Sequence, residues 1–562
     1  MGGDTMDQKS TLCKLTAAVL SCILCCTGGK ALASTTDETG ELPARFDLRD
    51  EGAMTSVKHQ YHGSCGIFSA MAAIESNMIK QGMADSSLDI SEEHFSWFTF
   101  GKGSSDDPDD PLAGDRYNLG TEGYEKASGF WKIIGTLACW TGVVPASWIP
   151  QCEDLVPIDE SLRYASVAHL QNATKFDEND RDDIKRHLME KGAMQLAYFS
   201  IGKPEHYSSY GAYYQSDWNY FDQENNPDDL NGGGHAVCIC GWDDNFPKEY
   251  FIETPPGDGA WICKNSWGPN TTAGIDGYTY ISYYDTSLHD FIQYEMEPTD
   301  NYDSIYQLCG GAFAAYTVRN MGWEYANIYT AKKDENLTAV SIILHESELP
   351  YEISIYALND DFENPRDGEL LAQISGTEKY AGYRTYPLHT ACQVSAGQKF
   401  SAVVKTGIKP SATIFFDKNA DNSGTSFYMT YSEKSQGSWK DATTVNDHGN
   451  TFVKVFTKEG IAVNSENYPD PLYRQAVFNE YDKNEDYVIT DKELTDAEPF
   501  IRGDINRDGI VNSLDLSLLK QVSSGSQRND LCLIAGDWND DKKIDEDDVQ
   551  EICDLLLGKS VS

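Results

Sequence analysis

The chain has 562 residues, enough for three or four domains at roughly 150 residues each, so a single small module is excluded. Hydrophobic residues make up 40% and charged residues 24%, which is ordinary for folded protein and argues against global disorder. Asp and Glu number 89 against 44 Lys and Arg, a formal net charge of −45. This balance argues against a nucleic-acid partner, which needs a face dense in Lys and Arg.

The N-terminus has the pattern of an export signal over residues 1–33. Lysines precede a short apolar run at 15–26, and an A-x-A-like cleavage site closes the segment before a short polar stretch at 34–42. The run is too short to span a bilayer comfortably. A buried strand or helix, or a lipoprotein anchor at Cys22, are the alternatives. No later segment is apolar enough to cross a membrane, so we expect an exported, soluble protein.

The 14 cysteines do not indicate a dense disulfide scaffold. Four lie in the signal, and the other ten show no repeated C-x-x-C spacing. Cys238 and Cys240 share one face of a predicted strand and are therefore badly placed to bond each other. A bond between Cys532 and Cys553 remains open.

Residues 43–299 mix helix-like and strand-like segments, and the first candidate site within them is Cys65. A turn-like segment leads from Gln60 to Cys65, and apolar residues at helical spacing follow. Cys65 is thus predicted at a helix N-terminus, where the helix dipole favours the nucleophilic thiolate. By itself the pattern is weak, because a small buried cysteine explains it equally well.

Two later segments add a histidine and an asparagine. Glycines precede His235 at the start of a predicted strand, which gives the imidazole room to project into a cleft. Asn265 ends another predicted strand, and Trp267 follows shortly after it. Taken singly, such a histidine is more often structural, and an Asn-Ser-Trp sequence is more often a turn.

Together and in chain order, these segments resemble the papain-like cysteine peptidases over residues 43 to about 290. A mature-like start at Leu42, a turn near Asp89 that leads into a helix, and a closing strand after Gly277 support the resemblance. It implies an α+β, two-lobed peptidase that needs no cofactor for catalysis. The proline- and glycine-rich stretch 255–261 is more similar to the bacterial branch than to the lysosomal one.

The resemblance also implies a role for each residue. Cys65 would attack the peptide carbonyl, and His235 would pair with its thiolate and then protonate the leaving amine. Asn265 would orient the imidazole under the cover of Trp267. Gln60 and the Cys65 backbone N–H would hold the developing oxyanion.

Three departures from the family pattern weigh against simple transfer. The loop from Gln60 to Cys65 is one residue shorter than usual, and Gly66 stands where the family has Trp. Only residues 34–42 separate the signal from the mature-like start, so no long inhibitory pro-segment is expected. The first two departures leave an alternative open, a catalytically impaired papain-like binding module carried on a scaffold.

Residues 300–458 change to short alternating strands separated by turn clusters, which predicts a β-sandwich. This region resembles the lectin-like domain that follows the peptidase in the bacterial branch. No cluster of carboxylates and aromatic residues demands a sugar, so carbohydrate binding and a role as spacer or docking platform both stay open.

Three acidic loops of EF-hand type occupy residues 459–562. Each has oxygen-bearing side chains at loop positions 1, 3, 5 and 12, as Ca²⁺ requires. The ligand sets are Asp482, Asn484, Asp486, the backbone of Val488 and Glu493; Asp504, Asn506, Asp508 and Asp515; and Asp537, Asn539, Asp541 and Asp548. Position 6 is glycine only in the middle loop, at Gly509; Tyr487 and Lys542 hold it in the others.

The duplicated loop-plus-helix unit in residues 501–562 resembles a type I dockerin, the module that plugs into cohesins on cellulosome scaffolds. Loop positions 10 and 11, which usually set cohesin choice, are Ser513-Leu514 in one copy and Glu546-Asp547 in the other. Because the pairs differ, the two faces are not expected to be equivalent.

The sequence therefore predicts a multidomain endopeptidase of an anaerobic bacterium, secreted or held at the cell surface. Its parts are the α+β peptidase (43–299), the β-sandwich (300–458), an EF-hand-like segment (459–500) and a small α-helical dockerin (501–562). Expected substrates are proteins in plant material or components of the cellulosome, and Ca²⁺ is the expected metal. One dockerin without a recognisable cohesin argues against a scaffold component.

Overall fold

The structure is a computed structural model that describes residues 40–102, 105, 107, 110, 129–153, 156–201, 206–216, 233–271, 273–310, 313–417, 423–444, 449–526, 528 and 531–559. The predicted export signal at residues 1–33 lies outside the described residues. The chain divides into two units, Met1–Pro43 and Ala44–Ser562. The described helices and strands lie in the second unit.

The first part of this unit combines helices with long strands. Its helices are α1 (Cys65–Lys80), α2 (Glu92–Ser96), α3 (Phe130–Leu137) and α4 (Arg181–Lys191). Its strands are β1 (Arg45–Asp47), β2 (His169–Phe176), β3 (Met194–Ser200), β4 (Ala212–Tyr213), β5 (Gly233–Asp243), β6 (Ala260–Lys264), β7 (Tyr278–Ser282) and β8 (His289–Glu297). This confirms the predicted α+β class.

Helix α1 is enclosed on all sides, from Gly66 to Met78. It packs against the strands β3, β5 and β8 and against the helices α2, α3 and α4. Its polar residues are therefore buried and must find partners: Asn77 Nδ2 donates to Lys191 O at 2.8 Å, and Ser76 Oγ accepts from Ala193 N at 3.0 Å. The amphipathic spacing seen in the sequence underestimates how deeply this helix is buried.

The middle part consists of strands. These are β9 (Ser304–Tyr306), β10 (Phe313–Val318), β11 (Gly322–Thr330), β12 (Glu335–Leu344), β13 (Leu349–Leu358), β14 (Gly368–Glu378), β15 (Ala381–Val394), β16 (Lys399–Thr406), β17 (Ala412–Asp417), β18 (Ser426–Ser432), β19 (Ser435–Gln436), β20 (Lys440–Asp441), β21 (Asn450–Thr451) and β22 (Val453–Lys458). A seven-stranded sheet within the described residues, β14-β13-β16-β11-β18-β19 with β20 on β18, faces β12 and β22. Ile353 and Val404 of this sheet share a core with Val340 and Val455, which confirms the predicted sandwich.

A continuous sheet joins the peptidase to the middle domain. Among the described residues it has twelve strands in the order β4-β7-β6-β5-β3-β8-β2-β15-β12-β22-β9, with β1 on β5. The two domains meet where β15 pairs antiparallel with β2, Ala381 opposite Lys175 and Arg384 opposite Asn172. Arg384 Nη1 also donates to Ala173 O at 2.7 Å. Backbone hydrogen bonds therefore connect the domains directly.

The C-terminal part contains short helices and a two-stranded ribbon. Its elements are β23 (Ile461–Ala462), α5 (Pro471–Tyr481), β24 (Val488–Ile489), α6 (Asp491–Asp496), α7 (Ser513–Ser523) and α8 (Glu546–Leu556). One core contains Val477 and Ile489 from the first acidic loop region together with Leu519 and Ile552 from α7 and α8. The first loop and the dockerin-like copies therefore pack as one body.

Candidate active site

Cys65 is the first residue of α1, as predicted. Ile67 N and Phe68 N both donate to Ser64 O, so the first turn closes just beyond the cysteine. The His235 imidazole and the backbone N–H groups of Gly66 and Ala236 interact with the Cys65 thiol and lower its pKa. The sulfur thus lies between the helix N-terminus and the third residue of β5.

His235 and Asn265 are hydrogen-bonded to each other. His235 Nε2 lies 2.9 Å from Asn265 Oδ1, so Nδ1 is the ring nitrogen left to face the Cys65 thiol. Asn265 is held by its own backbone, because Asn265 N donates to Gly277 O at 2.9 Å. Its Oδ1 also accepts from Ser266 N at 2.8 Å. The asparagine therefore fixes the imidazole from the side away from the sulfur.

Trp267 covers this hydrogen bond. Its ring stacks on the His235 imidazole with centroids 4.5 Å apart and an interplanar angle of 19°. His235 is only 7% exposed and Asn265 only 2%. A hydrogen bond shielded from water in this way is stronger than the same bond in solvent.

The surroundings of Cys65 favour its thiolate. Burial by itself raises the pKa of the thiol, but the hydrogen bond and charge of His235, with the two backbone N–H groups, outweigh it and lower the pKa below its ordinary value. Burial without such a partner raises the pKa of Cys238 and Cys392 to about 12. Cys532 and Cys553 are both free thiols, so no disulfide joins them.

Gln60 is held beside this group by the chain around Asn265. Gln60 N donates to Ser266 O at 2.8 Å, and Gln60 Oε1 accepts from Ser266 Oγ at 2.5 Å. Gln60 Nε2 donates one of its two hydrogens to His62 O at 2.7 Å, which leaves the second for a ligand.

The segment 151–153 braces the shortened loop, which the sequence did not indicate. Gln151 Nε2 donates to His59 O at 2.7 Å, and His62 Nε2 lies 2.8 Å from Glu153 O. Both contacts link residues far apart in the chain. They hold the loop between Gln60 and Cys65 without a disulfide.

A buried charged cluster behind the loop was also missed. Lys58 Nζ lies 2.8 Å from Glu75 Oε1, 2.8 Å from Glu92 Oε1 and 2.7 Å from Asp89 Oδ1. Lys58 O accepts from Gly268 N at 2.9 Å, so the same residue pairs with the strand end that carries the asparagine. A signal was present in the sequence: Glu75 lies within the apolar run of a helix, where a carboxylate needs a partner.

Comparison with protein families assigns three parts of the chain to known families. Residues 42–96 and 149–296 match the papain family cysteine protease, 305–457 the lectin-like domain, and 502–557 the dockerin type I domain. The first of these parts is a papain-family cysteine protease. It is followed in this chain by a lectin-like domain and a type I dockerin.

Solved structures give the same fold. Clostridial cysteine protease Cwp84 after propeptide cleavage aligns with a TM-score of 0.60 at 21% identity, covering 74% of this chain and 99% of that one. The cysteine protease and lectin-like domains of Cwp84, a surface layer associated protein of Clostridium difficile, align with a TM-score of 0.58 at 21% identity, covering 75% and 90%. No curated protein sequence matches this chain.

The two dockerin loops and the loop before them have the same internal geometry. In each, the aspartate at position 1 accepts from the N–H groups of positions 5 and 6, and the acid at position 12 accepts from position 9. The residues at position 1 are Asp482, Asp504 and Asp537; those at position 12 are Glu493, Asp515 and Asp548. The three sequence patterns therefore fold into one structural unit used three times.

The position 6 residue has a positive φ in all three loops. Gly509 has φ 84°, whereas Tyr487 and Lys542 adopt φ 66° and 63°, a region that favours glycine. Tyr487 gains a compensating contact, because its side chain packs against a core formed by Ala391, Ala462 and Val488. The departures noted in the sequence thus keep the loop geometry.

The donor chemistry of the loops fits Ca²⁺. Carboxylate and amide oxygens with an acid at position 12 are the ligands that this ion prefers. Burial and the charges of Asp486 and Glu493 raise the pKa of Asp482 to about 7, as expected for clustered carboxylates. Within the described residues, no group of three or more His, Cys, Asp or Glu side chains is placed to hold a metal ion.

The four residues predicted to select a cohesin are exposed. Leu514 is 51% exposed, and the nearby Ile510 is 64% exposed. In the second copy, the charged residues Glu546 and Asp547 occupy loop positions 10 and 11. One copy thus offers an apolar surface and the other an acidic one. No helix of the described residues is long and apolar enough to cross a membrane.

Proposed function

We propose that the chain is a secreted cysteine endopeptidase that hydrolyses peptide bonds with Cys65, His235 and Asn265. The observation that carries the proposal is the position of the imidazole: Nε2 is bound to Asn265, Trp267 stacks on the ring, and His235 lowers the pKa of the Cys65 thiol. A histidine held in this way keeps the thiolate available and is placed to return a proton.

The reaction follows from these positions. The Cys65 thiolate attacks the peptide carbonyl, and the negative charge moves to the carbonyl oxygen. The Cys65 backbone N–H and the second amide hydrogen of Gln60 stabilise that oxyanion. His235 protonates the departing amine, which leaves a thioester; water, deprotonated by His235, then releases the acid and restores the thiol.

The alternative is an impaired module that binds peptides without cleaving them. Gly66 and the shortened loop motivate it. The contacts of Gln60 with Ser266 favour catalysis, because they fix the Gln60 side chain next to the residue that follows Asn265 in spite of the missing residue.

We further propose that the dockerin binds a cohesin on a scaffold of the cellulosome type in a Ca²⁺-dependent manner. Ca²⁺ would be held by the loops that begin at Asp504 and Asp537, and also by the loop that begins at Asp482. Type I dockerin domains bind calcium, and the hydrogen-bond pattern common to the three loops supports extension to the first. A dockerin and the surface layer association of Cwp84 both favour an extracellular or cell-surface place.

The experiment uses the full mature chain. Casein cleavage is measured with and without Cys65→Ala, and binding to immobilised type I cohesins is measured with Ca²⁺ or with EDTA. The proposal expects cleavage that Cys65→Ala abolishes and cohesin binding that EDTA abolishes. Cohesin binding by a folded, reduced chain that cleaves neither casein nor peptides would support the impaired module.

A further inference from the structure

A buried cluster of hydroxyl groups lies next to His235. It consists of Tyr198, Ser200, Tyr207 and Tyr213, here called the tyrosine cluster, and none of its members is more than 5% exposed. Tyr198 OH lies 2.8 Å from Tyr207 OH, and Tyr207 OH lies 3.0 Å from Ser200 Oγ. Buried hydroxyl groups need hydrogen-bond partners, so these two hydrogen bonds fix the positions of the three hydroxyl groups.

The cluster contacts the catalytic histidine directly. Tyr198 lies opposite His235 in the pairing of β3 with β5, and its ring meets the imidazole edge-on at 5.7 Å and 65°. Trp267 stacks on the same imidazole. The ring of His235 is therefore constrained by two aromatic neighbours as well as by Asn265.

Tyr207 connects both aromatic neighbours. Its hydroxyl bonds that of Tyr198, and its ring meets the Trp267 ring at 6.2 Å and 83°. Tyr213 packs on both tyrosines at 5.3 and 5.0 Å, and its hydroxyl donates to Phe199 O at 2.8 Å. Loss of the Tyr207 hydroxyl would therefore loosen Tyr198 and Trp267, two of the groups that set the plane of the imidazole.

We propose that Tyr198 and Tyr207 are positioning residues that hold the His235 imidazole in the plane needed by Cys65. The inference rests on the proposed peptidase function. Tyr198 acts through its ring on the imidazole, and Tyr207 acts through Tyr198 and Trp267. Neither tyrosine contacts the substrate or takes a proton from it.

The test is Tyr207→Phe in the full chain, with Tyr198→Phe as a second variant. Tyr207→Phe leaves the Tyr198 hydroxyl without this partner, so the imidazole should sample other orientations. We expect kcat to fall about 10-fold or more, since small misplacements of reacting groups cost rates of that order, while KM changes less than twofold. The pH profile of Cys65 alkylation should move to higher pH, because a less well placed imidazole stabilises the thiolate less.

Tyr294→Phe is the matched control. Tyr294 is equally buried in β8 and donates to Gln195 Oε1 at 2.6 Å, and no ring contact joins it to His235. Its loss should lower Tm and leave the alkylation profile unchanged.

The outcomes separate the two proposals. Wild-type protein that neither cleaves casein nor alkylates at Cys65 near neutral pH would refute the proposed function itself. Active wild-type protein, with unchanged kcat and alkylation profile in both tyrosine variants, would overturn the positioning role even if Tm falls. Failure of Tyr207→Phe to fold leaves Tyr198→Phe to decide in the same assays.

Discussion

Replacing Lys58 with Met should destabilise the protease domain strongly, because it leaves carboxylates without their cation. Glu75 is fully buried and Glu92 is 5% exposed at the side chain, and each lies 2.8 Å from Lys58 Nζ. Asp89 is 61% exposed and gains little from the pair. Breaking a buried pair by removing one partner costs about 3–5 kcal/mol. For a domain of this size that corresponds to a fall in Tm of about 6–20 °C.

The stability that Lys58→Met loses should depend on pH in a defined direction. Burial raises the pKa of Glu92 to about 7, although Lys58 opposes this. Without Lys58 the pKa rises further, so Glu92 in Lys58→Met takes up a proton on folding. A group whose pKa is raised by folding adds stability at low pH and loses it as pH rises. The difference in Tm between the wild type and Lys58→Met should therefore be smaller at pH 5 than at pH 8.

Thermal unfolding followed by circular dichroism at both pH values tests this reasoning. Lys80→Met is the matched control, because Lys80 pairs with Glu51 at 2.9 Å near the surface and such pairs contribute about 1 kcal/mol or less. A Lys58→Met protein whose Tm stays within 2 °C of the control variant would refute the reasoning. A difference in Tm between the wild type and Lys58→Met that becomes smaller as pH rises would also refute it.

Three further outcomes are expected. Asn265→Ala frees His235 Nε2, so steady-state kinetics should show kcat reduced about 10- to 100-fold with nearly unchanged KM; an unchanged kcat would contradict the orienting role. Asp515→Asn removes the position 12 carboxylate of the first dockerin loop, so titration calorimetry should show cohesin affinity reduced at least 10-fold in Ca²⁺. Glu493→Gln makes the matched change outside the dockerin match and should lower Tm in Ca²⁺ while cohesin affinity stays within twofold. An equal loss of cohesin binding in both variants would argue against separate roles for the loops.

Much of the candidate site could be predicted from the sequence, because its chemistry depends on short local patterns. Cys65 before a helix, His235 after glycines and Asn265 beside Trp267 each occupy the predicted place in an element. Their convergence follows from the pairing of β5 with β6, which no local pattern encodes. The acidic loops are more predictable still, since their ligand spacing and their backbone hydrogen bonds lie within the same short segment.

The supporting structure could not be predicted in this way. The contact of Lys58 with Glu92, the brace from Gln151 to His59 and the pairing of Tyr198 with His235 join residues distant in the chain. A single sequence offers only an indirect sign of such contacts, a charged or hydroxyl-bearing residue inside an apolar run. The continuous sheet across two domains has the same origin, because the edge of β2 looks no different in sequence from any other strand.

The measurement that most directly tests the central claim is competitive alkylation of the folded chain with iodoacetamide at pH 6, with peptide mapping of the modified cysteines. Cys65 should react first, ahead of the comparably accessible Cys553, because His235 lowers the pKa of the Cys65 thiol. Cys65→Ala should remove the fast phase. Reaction of Cys65 no faster than Cys553 would contradict an activated nucleophile and, with it, the peptidase mechanism.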